Sequence, residues 1–578
     1  MLNKENAMGK KGKPNKAITA LAVLAVLVFG VTYLAITLTQ NAGRNAGEVS
    51  EERALDALDR LYRKINVSTL PPIKENVDLE VVDIRDSLPD ISKYPLQVDS
   101  GTAEYVEIFS STEKATVTGK PGADNDRWLV DMAEAFNRSG AKAGGSPASV
   151  RIRAIASGVG MDYIASGKYV PDAFSPSNEL WGDALAAQGA DISLVEKRLC
   201  GNVAGIVLNK AKHADIVAKY GSVSLKSVTE AVAAGEITMG YTNPFASSTG
   251  ANFLISTLYT FDGADPLGAE AASAFEGFQA NIPFVAYTTL QMKDAAKSGA
   301  LEGFVFEYQQ FQNSPDLNAD YVFTPYGVRH DSPVYEIGQL SAAKKDILRQ
   351  FIDFCLGDES QAAASRYGFN GYDQYAFELS GASGGILASA QKLWKEKKAG
   401  DREIIAVFVA DISGSMNGEP MNRLKESLLS GSKVIGQNCS VGLVTFSDSV
   451  NIALPIAKFD INQRSMFTGA VRSMSASGGT AMFDAIVVAQ KMLAEAKEAN
   501  PDAKLLIFVL TDGETNEGST LNDTRSMIEG LRVPIYTIGY NEGASVLGTL
   551  ASINEAASIN ADTDDVVYQL QNLFNAEM

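Results

Sequence analysis

Histidine and cysteine are scarce in this sequence, which has two histidines and three cysteines in 578 residues. Cys200, Cys355 and Cys439 lie far apart, so they predict neither a disulfide framework nor a zinc site. Two histidines leave little material for a histidine-rich metal centre or a Ser-His-Asp triad. The sequence also has no phosphate-binding G-x-x-x-x-G-K-[ST] loop and no H-E-x-x-H segment. These absences argue against an enzyme.

Positive charge is also in short supply, because 50 lysines and arginines face 69 aspartates and glutamates, for a net charge of -19. Binding nucleic acid requires clustered basic side chains that neutralise phosphates, so nucleic acid is not an expected partner. Apolar residues make up 46% of the chain and charged residues 21%, as in ordinary globular proteins. The length predicts several domains.

The N-terminus carries a cluster of lysines followed by a long uncharged run from Ala17 to Thr39. About 20 apolar residues suffice to cross a bilayer as a helix. The preceding lysines predict a cytoplasmic tail over 1–16, a transmembrane helix over 17–39 and exported domains, extracellular or periplasmic. A cleaved signal peptide is the alternative, but its apolar core is shorter, about 7–15 residues. The run length favours an uncleaved, single-pass anchor in the cell membrane.

Residues 40–100 are predicted to form a linker or stalk. Leu55, Leu58, Leu61 and Ile65 recur at helical spacing, which predicts one short amphipathic helix. Proline-containing segments follow with little continuous apolar sequence, which favours an extended connector.

Residues 101–390 alternate between strand-like and helix-like runs, which predicts an α/β domain with a largely parallel sheet. Nearly 300 residues are long for a single core, so two lobes are expected. The segments IFSSTEKA, IRAIASGVGMDYIASGKYVPDAFSPSNELW, ITMGYTNPFASSTGANFL and ILRQFIDFCLGDESQAAASRYGFNGY resemble bacterial extracellular solute-binding proteins, in particular the branch of oxyanion binders. The resemblance implies a two-lobed fold that closes around a small ligand.

Small polar side chains recur in this region where strands lead into helices. Helix N-termini present free N–H groups and partial positive charge, which suit a small polar or anionic ligand. The same side chains can equally serve as helix N-caps, and both readings stay open. The candidate ligand-binding residues are Ser110, Ser111, Thr112, Ser157, Ser175, Ser177, Asn178, Ser247, Ser248 and Thr249.

Residues 401–578 predict a second α/β domain, an open doubly wound sheet with polar residues at the carboxyl ends of its strands. Such sheets bind ligands at those ends. The polar residues are Asp411, Ser413 and Ser415 in D-x-S-x-S, then Thr480 in GGT and Asp512 in TDG. Oxygen ligands with only two carboxylates suit Mg²⁺ first, and Mn²⁺ or Ca²⁺ as alternatives. Asp484 is predicted to face solvent or to cap a helix.

This pattern, with 69 residues from Asp411 to Thr480 and 32 more to Asp512, resembles the metal-ion-dependent adhesion site of von Willebrand factor A domains. The resemblance implies that Ser413, Ser415 and Thr480 coordinate the cation directly, while Asp411 and Asp512 often act through water. It also implies a protein partner that offers a carboxylate to the cation. The alternative is that Asp411, Ser413 and Thr480 only cap helices.

Together these features predict a cell-surface binding, sensing or adhesion protein with a cation-dependent C-terminal domain and a solute-binding-like middle domain. The alternative function is a substrate-binding receptor associated with a membrane transporter. An enzyme is not predicted.

Overall fold

The computed structural model describes residues 49–77, 83–117, 125–282, 284–286, 292, 301–377, 383–398, 402–436, 438–513, 515–540, 545–553, 558–560 and 566–578. The predicted cytoplasmic tail (1–16) and transmembrane helix (17–39) lie outside these residues. Within the described part of the chain, no helix is both long enough and apolar enough to cross a bilayer.

The described strands and helices alternate along most of the chain. The strands are β1 (Val67–Thr69), β2 (Leu96–Val98), β3 (Glu104–Ser110), β4 (Lys142–Ala143), β5 (Ser146–Ala154), β6 (Ala173–Ser175), β7 (Ile192–Glu196), β8 (Val203–Asn209), β9 (Met239–Thr242), β10 (Phe284–Ala286), β11 (Gly303–Glu307), β12 (Tyr321–Arg329), β13 (Val334–Ile337), β14 (Ile404–Asp411), β15 (Cys439–Phe446), β16 (Val450–Lys458), β17 (Lys504–Thr511), β18 (Ile535–Gly539) and β19 (Ser558–Asn560). The α-helices are α1 (Glu51–Tyr62), α2 (Thr112–Ala115), α3 (Trp128–Arg138), α4 (Ser157–Ser166), α5 (Leu180–Ala187), α6 (Lys210–Tyr220), α7 (Leu225–Ala233), α8 (Ser248–Phe261), α9 (Ala269–Gln279), α10 (Tyr308–Gln312), α11 (Pro315–Asp320), α12 (Ala342–Leu356), α13 (Asp358–Arg366), α14 (Leu387–Lys397), α15 (Glu419–Ser432), α16 (Ile461–Ser473), α17 (Met482–Ala499), α18 (Leu521–Leu531), α19 (Ser545–Ile553) and α20 (Val566–Glu577). Short 3₁₀ helices span Ile84–Ser87, Ile91–Lys93, Gly384–Ile386 and Gly414–Met416.

The C-terminal domain is built on one sheet with the strand order β1-β16-β15-β14-β17-β18-β19. Only β15 and β16 pair antiparallel in this sheet; the other described pairs are parallel. Along the fully buried strand β14, Ala406 and Phe408 pack on one face with α15, α16 and α20, while Val407 and Val409 pack on the other with α17 and α18. A strand buried on both faces explains its unbroken apolar run. The predicted doubly wound sheet is therefore confirmed.

The stalk prediction is wrong for residues 51–77, because they are part of the C-terminal domain. Helix α1 buries Ala54 and Leu58 against α17 and α18, and β1 extends the sheet in parallel with β16. Glu75 then exchanges two hydrogen bonds with Ser465 on α16. The amphipathic spacing predicted the helix correctly, but spacing cannot say which surface an apolar stripe covers. The middle domain is thus inserted in sequence between two parts of the C-terminal domain.

The middle domain has two lobes, as predicted, although neither sheet is largely parallel. The first lobe has the strand order β2-β5-β3-β6-β13-β7 with β4 beside β5, and the second has the order β10-β9-β11-β8-β12. Both sheets are mixed. The chain passes to the second lobe after β7 and back to the first lobe after β12. The strand that follows each crossing, β8 or β13, runs antiparallel to both of its neighbours. Residues 96–98, predicted as part of the linker, form the edge strand β2 of the first lobe.

The two lobes are packed against each other. A single apolar core runs from Phe174 and Trp181 in the first lobe to Phe253 and Phe278 in the second. Helix α4 approaches the second lobe so closely that a Cβ on Gly158 would lie 2.2 Å from the carbonyl oxygen of Phe245. The lobes are therefore in direct contact, with no room between them at this point.

Residues 383–398 connect both lobes with the C-terminal domain. Ser383 donates a hydrogen bond to Asp183 of the first lobe at 3.0 Å, and Gln391 donates to the carbonyl of Pro244 in the second at 2.9 Å. At the end of α14, Lys398 donates to the carbonyl of Asn575 on α20 at 2.6 Å. This segment is therefore hydrogen-bonded to both lobes and to the C-terminal domain.

Candidate metal centre and interlobe cleft

The two acids of the predicted metal site lie at one edge of the C-terminal sheet. Asp411 is the last residue of β14, and Asp512 follows the last residue of the neighbouring parallel strand β17. Parallel neighbours end at the same edge, so the fold places both carboxylates together at the carboxyl ends of the strands. Asp411 is fully buried and Asp512 nearly so, while Ser415 is exposed.

Hydrogen bonds link four of the five predicted metal-site residues. The backbone N–H of Ser413 donates to Asp411 Oδ1 at 2.7 Å, and the Ser413 and Ser415 hydroxyls are 3.0 Å apart. Ser415 Oγ donates to Asp512 Oδ1 at 2.8 Å. Two carboxylates and two hydroxyls therefore converge at the end of β14 and β17.

Thr480, the fifth predicted residue, lies on a loop that backbone contacts hold beside this group. The Gly414 N–H donates to the carbonyl of Gly478 at 2.9 Å, two residues before Thr480. The N–H of Thr480 donates to Asn516 Oδ1 at 2.8 Å, and its carbonyl accepts from the Thr515 hydroxyl at 2.7 Å. The loop of Thr480 is thereby fixed between the Ser413 turn and the 515–517 segment.

Burial dominates the electrostatics of this site. It raises the pKa of Asp411, the hydrogen bonds from Ser413 and Thr511 oppose that rise, and the nearby charge of Asp512 adds to it. A divalent cation would offset both the burial and the repulsion of the two carboxylates. The donors are all oxygen, which fits a hard cation, so the residues present fit the predicted group. The described residues contain no group of three or more His, Cys, Asp or Glu side chains that could hold a metal ion, and this site brings together two carboxylates and hydroxyls instead.

The sequence prediction missed the residues that support this site. The Thr511 hydroxyl donates to Asp411 Oδ2 at 2.5 Å, and Asp448 accepts a hydrogen bond from the N–H of Gly479. Asp484, predicted as a capping or solvent residue, accepts from the N–H of Ser519 at 3.0 Å and ties down the 515–519 loop. Asn516 and Asp448 lie in loops without a repeating pattern, so sequence spacing carries no signal for them.

In the middle domain, the structure buries nine of the ten predicted ligand-binding residues; Thr112 is exposed. The first-lobe clusters meet, because Ser111 N–H donates to the Ser175 carbonyl at 3.1 Å and Ser177 N–H donates to Ser157 Oγ at 3.3 Å. Ser247 is the N-cap of α8 and accepts from the N–H of Gly250, which is the capping role left open by the sequence.

Two contacts join these clusters across the lobes. Trp181 Nε1 of the first lobe donates to Ser248 Oγ of the second at 2.8 Å, and Asn178 Nδ2 approaches the Ser248 carbonyl at 3.4 Å. Asn178 and Ser248, two of the residues predicted to line the cleft, thus take part in the contact between the lobes, together with Trp181, which was not predicted. A separate groove of about 440 Å³ is lined by Tyr308, Tyr321 and Tyr372.

An acid and a base that the sequence prediction did not single out stand at the centre of the first-lobe clusters. Glu113 Oε1 accepts from the hydroxyls of Ser111 at 2.5 Å and Ser177 at 2.9 Å. Lys114 donates to Ser111 Oγ and, at 2.9 Å, to the Ser175 carbonyl. The Lys114 side chain has no solvent exposure, and burial lowers its pKa, while the charge of Glu113 opposes that effect.

A second buried network lies where the chain crosses between the lobes. His330 Nδ1 donates to Glu307 Oε1 at 2.9 Å, and its Nε2 accepts from the amides of Asn178 and Asn252 at 3.0 Å each. Asn202 Nδ2 donates to the other oxygen of Glu307 at 2.8 Å. Burial raises the pKa of Glu307, and the nearby charge of Glu113 adds to the rise. Isolated glutamate and histidine residues carry no periodic signal, so the sequence did not predict this network.

Comparisons with known proteins match the middle domain and the C-terminal domain separately. Residues 122–370 match the family described as bacterial extracellular solute-binding protein. Residues 406–576 match the family described as von Willebrand factor type A domain. A solute-binding domain is followed by a von Willebrand factor type A domain. The order predicted from the sequence motifs is therefore confirmed.

Each of the following relatives matches part of this chain. The inter-alpha-trypsin inhibitor heavy chain H1 of Mesocricetus auratus is 30% identical over 187 residues, which are 29% of this chain and 20% of that protein. The chain thus spans about a fifth of the length of the curated relatives it matches. Among solved structures, the sulfate-binding protein SubI of Mycobacterium tuberculosis is 11% identical with a TM-score of 0.33, covering 47% of this chain and 88% of that one. A von Willebrand factor type A structure from Catenulispora acidiphila is 20% identical with a TM-score of 0.27, covering 30% and 42%.

Proposed function

We propose that the protein is a binding protein whose von Willebrand factor type A domain holds one divalent cation and, through it, a carboxylate of a protein partner. The observation that carries this proposal is the convergence of Asp411, Ser413, Ser415 and Asp512 at the edge where β14 and β17 end. Thr480 completes the donor set on the neighbouring loop. Mg²⁺ is the first choice, with Mn²⁺ and Ca²⁺ as the other hard cations that oxygen donors accept.

The exposure of these residues to solvent suggests a different role for each. Asp411 is buried and anchored by Ser413 N–H and Thr511, so its carboxylate is held in place before anything binds. Ser415 is exposed and marks the side from which a partner can approach. A bound cation would supply the positive charge and the open coordination position that a partner's carboxylate needs. With only two carboxylates in the donor set, the formal charges of the protein donors and the cation cancel, so the donors leave no excess negative charge to repel a partner's carboxylate.

The test is calorimetric titration of the full chain with MgCl₂. Asp411→Asn keeps the size of the side chain but removes its charge, and Mg²⁺ affinity should fall at least about tenfold, since charged oxygen ligands dominate such sites. Asp460→Asn is the matched control: Asp460 caps α16 and follows the end of β16 that lies away from the metal edge. Equal Mg²⁺ affinities for the wild type and Asp411→Asn would overturn the site assignment.

We further propose that the chain is held in the cell membrane by residues 17–39, with its domains outside. The proposal rests on the uncharged run after a lysine-rich segment and on the similarity of residues 122–370 to extracellular proteins. In this arrangement the cation-binding domain meets partners on the outer side of the membrane, as an adhesion or sensing protein does. The feature that the cation-binding site would recognise on the partner is an accessible carboxylate.

A further inference from the structure

The cleft of the middle domain already contains a carboxylate. Glu113 accepts hydrogen bonds from Ser111 and Ser177, two of the hydroxyls that the sequence assigned to an anionic ligand. The ammonium group of Lys114 lies 3.7 Å from the same Glu113 oxygen and donates to Ser111 Oγ. A carboxylate held by two hydroxyls next to an ammonium group has the contacts that a bound carboxylate ligand would have.

We propose that Glu113 is a built-in ligand of the interlobe cleft, whose carboxylate occupies the donors that a free carboxylate or other oxyanion would use. A hydroxyl has one hydrogen to donate, so Ser111 and Ser177 cannot serve a second anion while they serve Glu113. A free anion would have to displace a side chain that is covalently attached and therefore present at a high effective concentration. In the wild type, the anion-binding donors of the cleft are accordingly occupied by Glu113 itself.

The contacts between the lobes agree with a domain that closes without a solute. Trp181 bonds directly to Ser248 across the cleft, and Gly158 packs against the Phe245 carbonyl. In a protein that closes around a solute, the ligand bridges the lobes; here side chains do so themselves. The strap formed by residues 383–398 is bonded to both lobes and would resist their separation.

The experiment removes the internal carboxylate and offers a free one. The full chain and its Glu113→Ala variant are titrated calorimetrically with sodium acetate and, separately, sodium sulfate, against sodium chloride of equal ionic strength. The wild type should show no saturable binding. Glu113→Ala should bind acetate saturably, at least about tenfold more tightly than the weakest binding that the wild-type titration could detect, because the freed hydroxyls and Lys114 regain a carboxylate partner. Acetate should also raise the melting temperature of the variant but not of the wild type.

Two further variants define the site. Glu113→Gln fills the same space with an amide oxygen that still accepts from both hydroxyls, so it should not bind acetate. Adding Ser111→Ala and Ser177→Ala to Glu113→Ala should abolish the acetate binding. Mg²⁺ binding by the C-terminal domain should be unchanged in all of these variants, which separates failure of this proposal from failure of the proposed metal site.

Two results would overturn the proposal. One is saturable binding of acetate or sulfate by the wild type as tight as by Glu113→Ala, which would mean that Glu113 does not occupy the anion position. The other is a folded Glu113→Ala variant that binds no acetate. If Glu113→Ala does not fold in buffer, near-ultraviolet circular dichroism in the presence of acetate decides: restoration of the native spectrum supports the proposal, and its absence contradicts it.

Discussion

The hydroxyl of Tyr568, on α20 of the C-terminal domain, donates a 2.6 Å hydrogen bond to Asp162 on α4 of the middle domain. Burial raises the pKa of Asp162 from 3.8 to about 7, the Tyr568 bond and Arg85 oppose the rise, and Asp83 adds to it. A titrating acid therefore lies in the contact between the two domains.

The first prediction concerns the pH dependence of this contact. Between about pH 4 and 7 the folded protein holds a proton on Asp162 that the unfolded chain has released, so stability falls as pH rises through that window and is level above it. Asp162→Asn keeps an acceptor for Tyr568 and removes the titration. We expect the free energy of unfolding of this variant at pH 8 to exceed that of the wild type by about 2 kcal/mol. This is roughly half of what a pKa shift of about three units corresponds to, because Asp162 is partly exposed to solvent.

Thermal unfolding of both proteins from pH 4 to pH 8 checks this, with the difference in melting temperature growing as pH rises. Tyr568→Phe is the companion variant. It removes a bond that favours the charged acid, so it should push the titration to higher pH. A constant difference between the wild type and Asp162→Asn across the range would show that Asp162 does not titrate in it.

The second prediction concerns the N-terminal segment of the C-terminal domain. Leu58 is buried between α1, α17 and α18, whereas Leu55 on the same helix is 39% exposed. Leu58→Ala should destabilise the C-terminal domain by about 3 kcal/mol, as buried leucine truncations do. Leu55→Ala should change stability by about 0.5 kcal/mol or less. Urea unfolding of the two variants makes the comparison, and equal effects would show that α1 does not dock as described.

A third prediction follows from the same segment. A fragment of residues 402–578 should be less stable alone than in the presence of residues 49–77, because α1 and β1 cover one face and one edge of its sheet. A synthetic peptide of residues 49–77, added in trans, should raise the melting temperature of the fragment. The same peptide carrying Leu58→Asp should have no effect.

The fourth prediction tests the close contact between the lobes. Gly158→Ala places a methyl group 2.2 Å from the Phe245 carbonyl oxygen, so the lobes must shift apart, at a typical cost of about 1–3 kcal/mol. Gly277→Ala on α9 is the matched control, because a Cβ there meets nothing within 4 Å and alanine favours the helix. Thermal unfolding should show a loss for the first variant and no loss for the second. A Gly158→Ala protein as stable as the wild type would mean that the lobes separate freely.

The fifth prediction concerns residues 17–39. The chain should stay in the membrane fraction after carbonate washing, and protease added from outside should reach residues beyond 40. A soluble mature form beginning near Ala42 would instead indicate a cleaved signal peptide.

The parts of this molecule that sequence predicts best are those in which a local pattern determines the outcome. The D-x-S-x-S segment begins at the last residue of β14, so Asp411, Ser413 and Ser415 had to lie near one another. Asp512 directly follows β17, a strand that a doubly wound sheet places beside β14. The position of Thr480 is harder to predict, because Thr480 lies on a loop whose placement depends on contacts such as its hydrogen bond with Asn516.

Prediction was weaker wherever the partner of a residue is distant in sequence. The hydroxyls of Ser111 and Ser177 were predicted to lie in one site, and they do. The local sequence, however, gives no indication that the carboxylate of Glu113 accepts hydrogen bonds from both of them. The apolar face of α1 was predicted from the sequence, but the helices on which that face packs, α17 and α18, lie some 400 residues later in the chain. Strand β1 has three residues, too few for periodicity to identify.

The docking of α1 has a mechanical consequence. Glu51, at the start of the helix, contacts Lys497 near the end of α17, the helix that starts beside Thr480, so the chain enters the domain at the end opposite the metal edge. Tension between the proposed membrane anchor and the proposed partner would run through α1 and β1 into Val450–Ile452, the end of β16 that lies at the metal edge. The inserted residues 83–398 lie outside this load path. A pull strong enough to strain the proposed partner contact would therefore leave the two lobes unloaded.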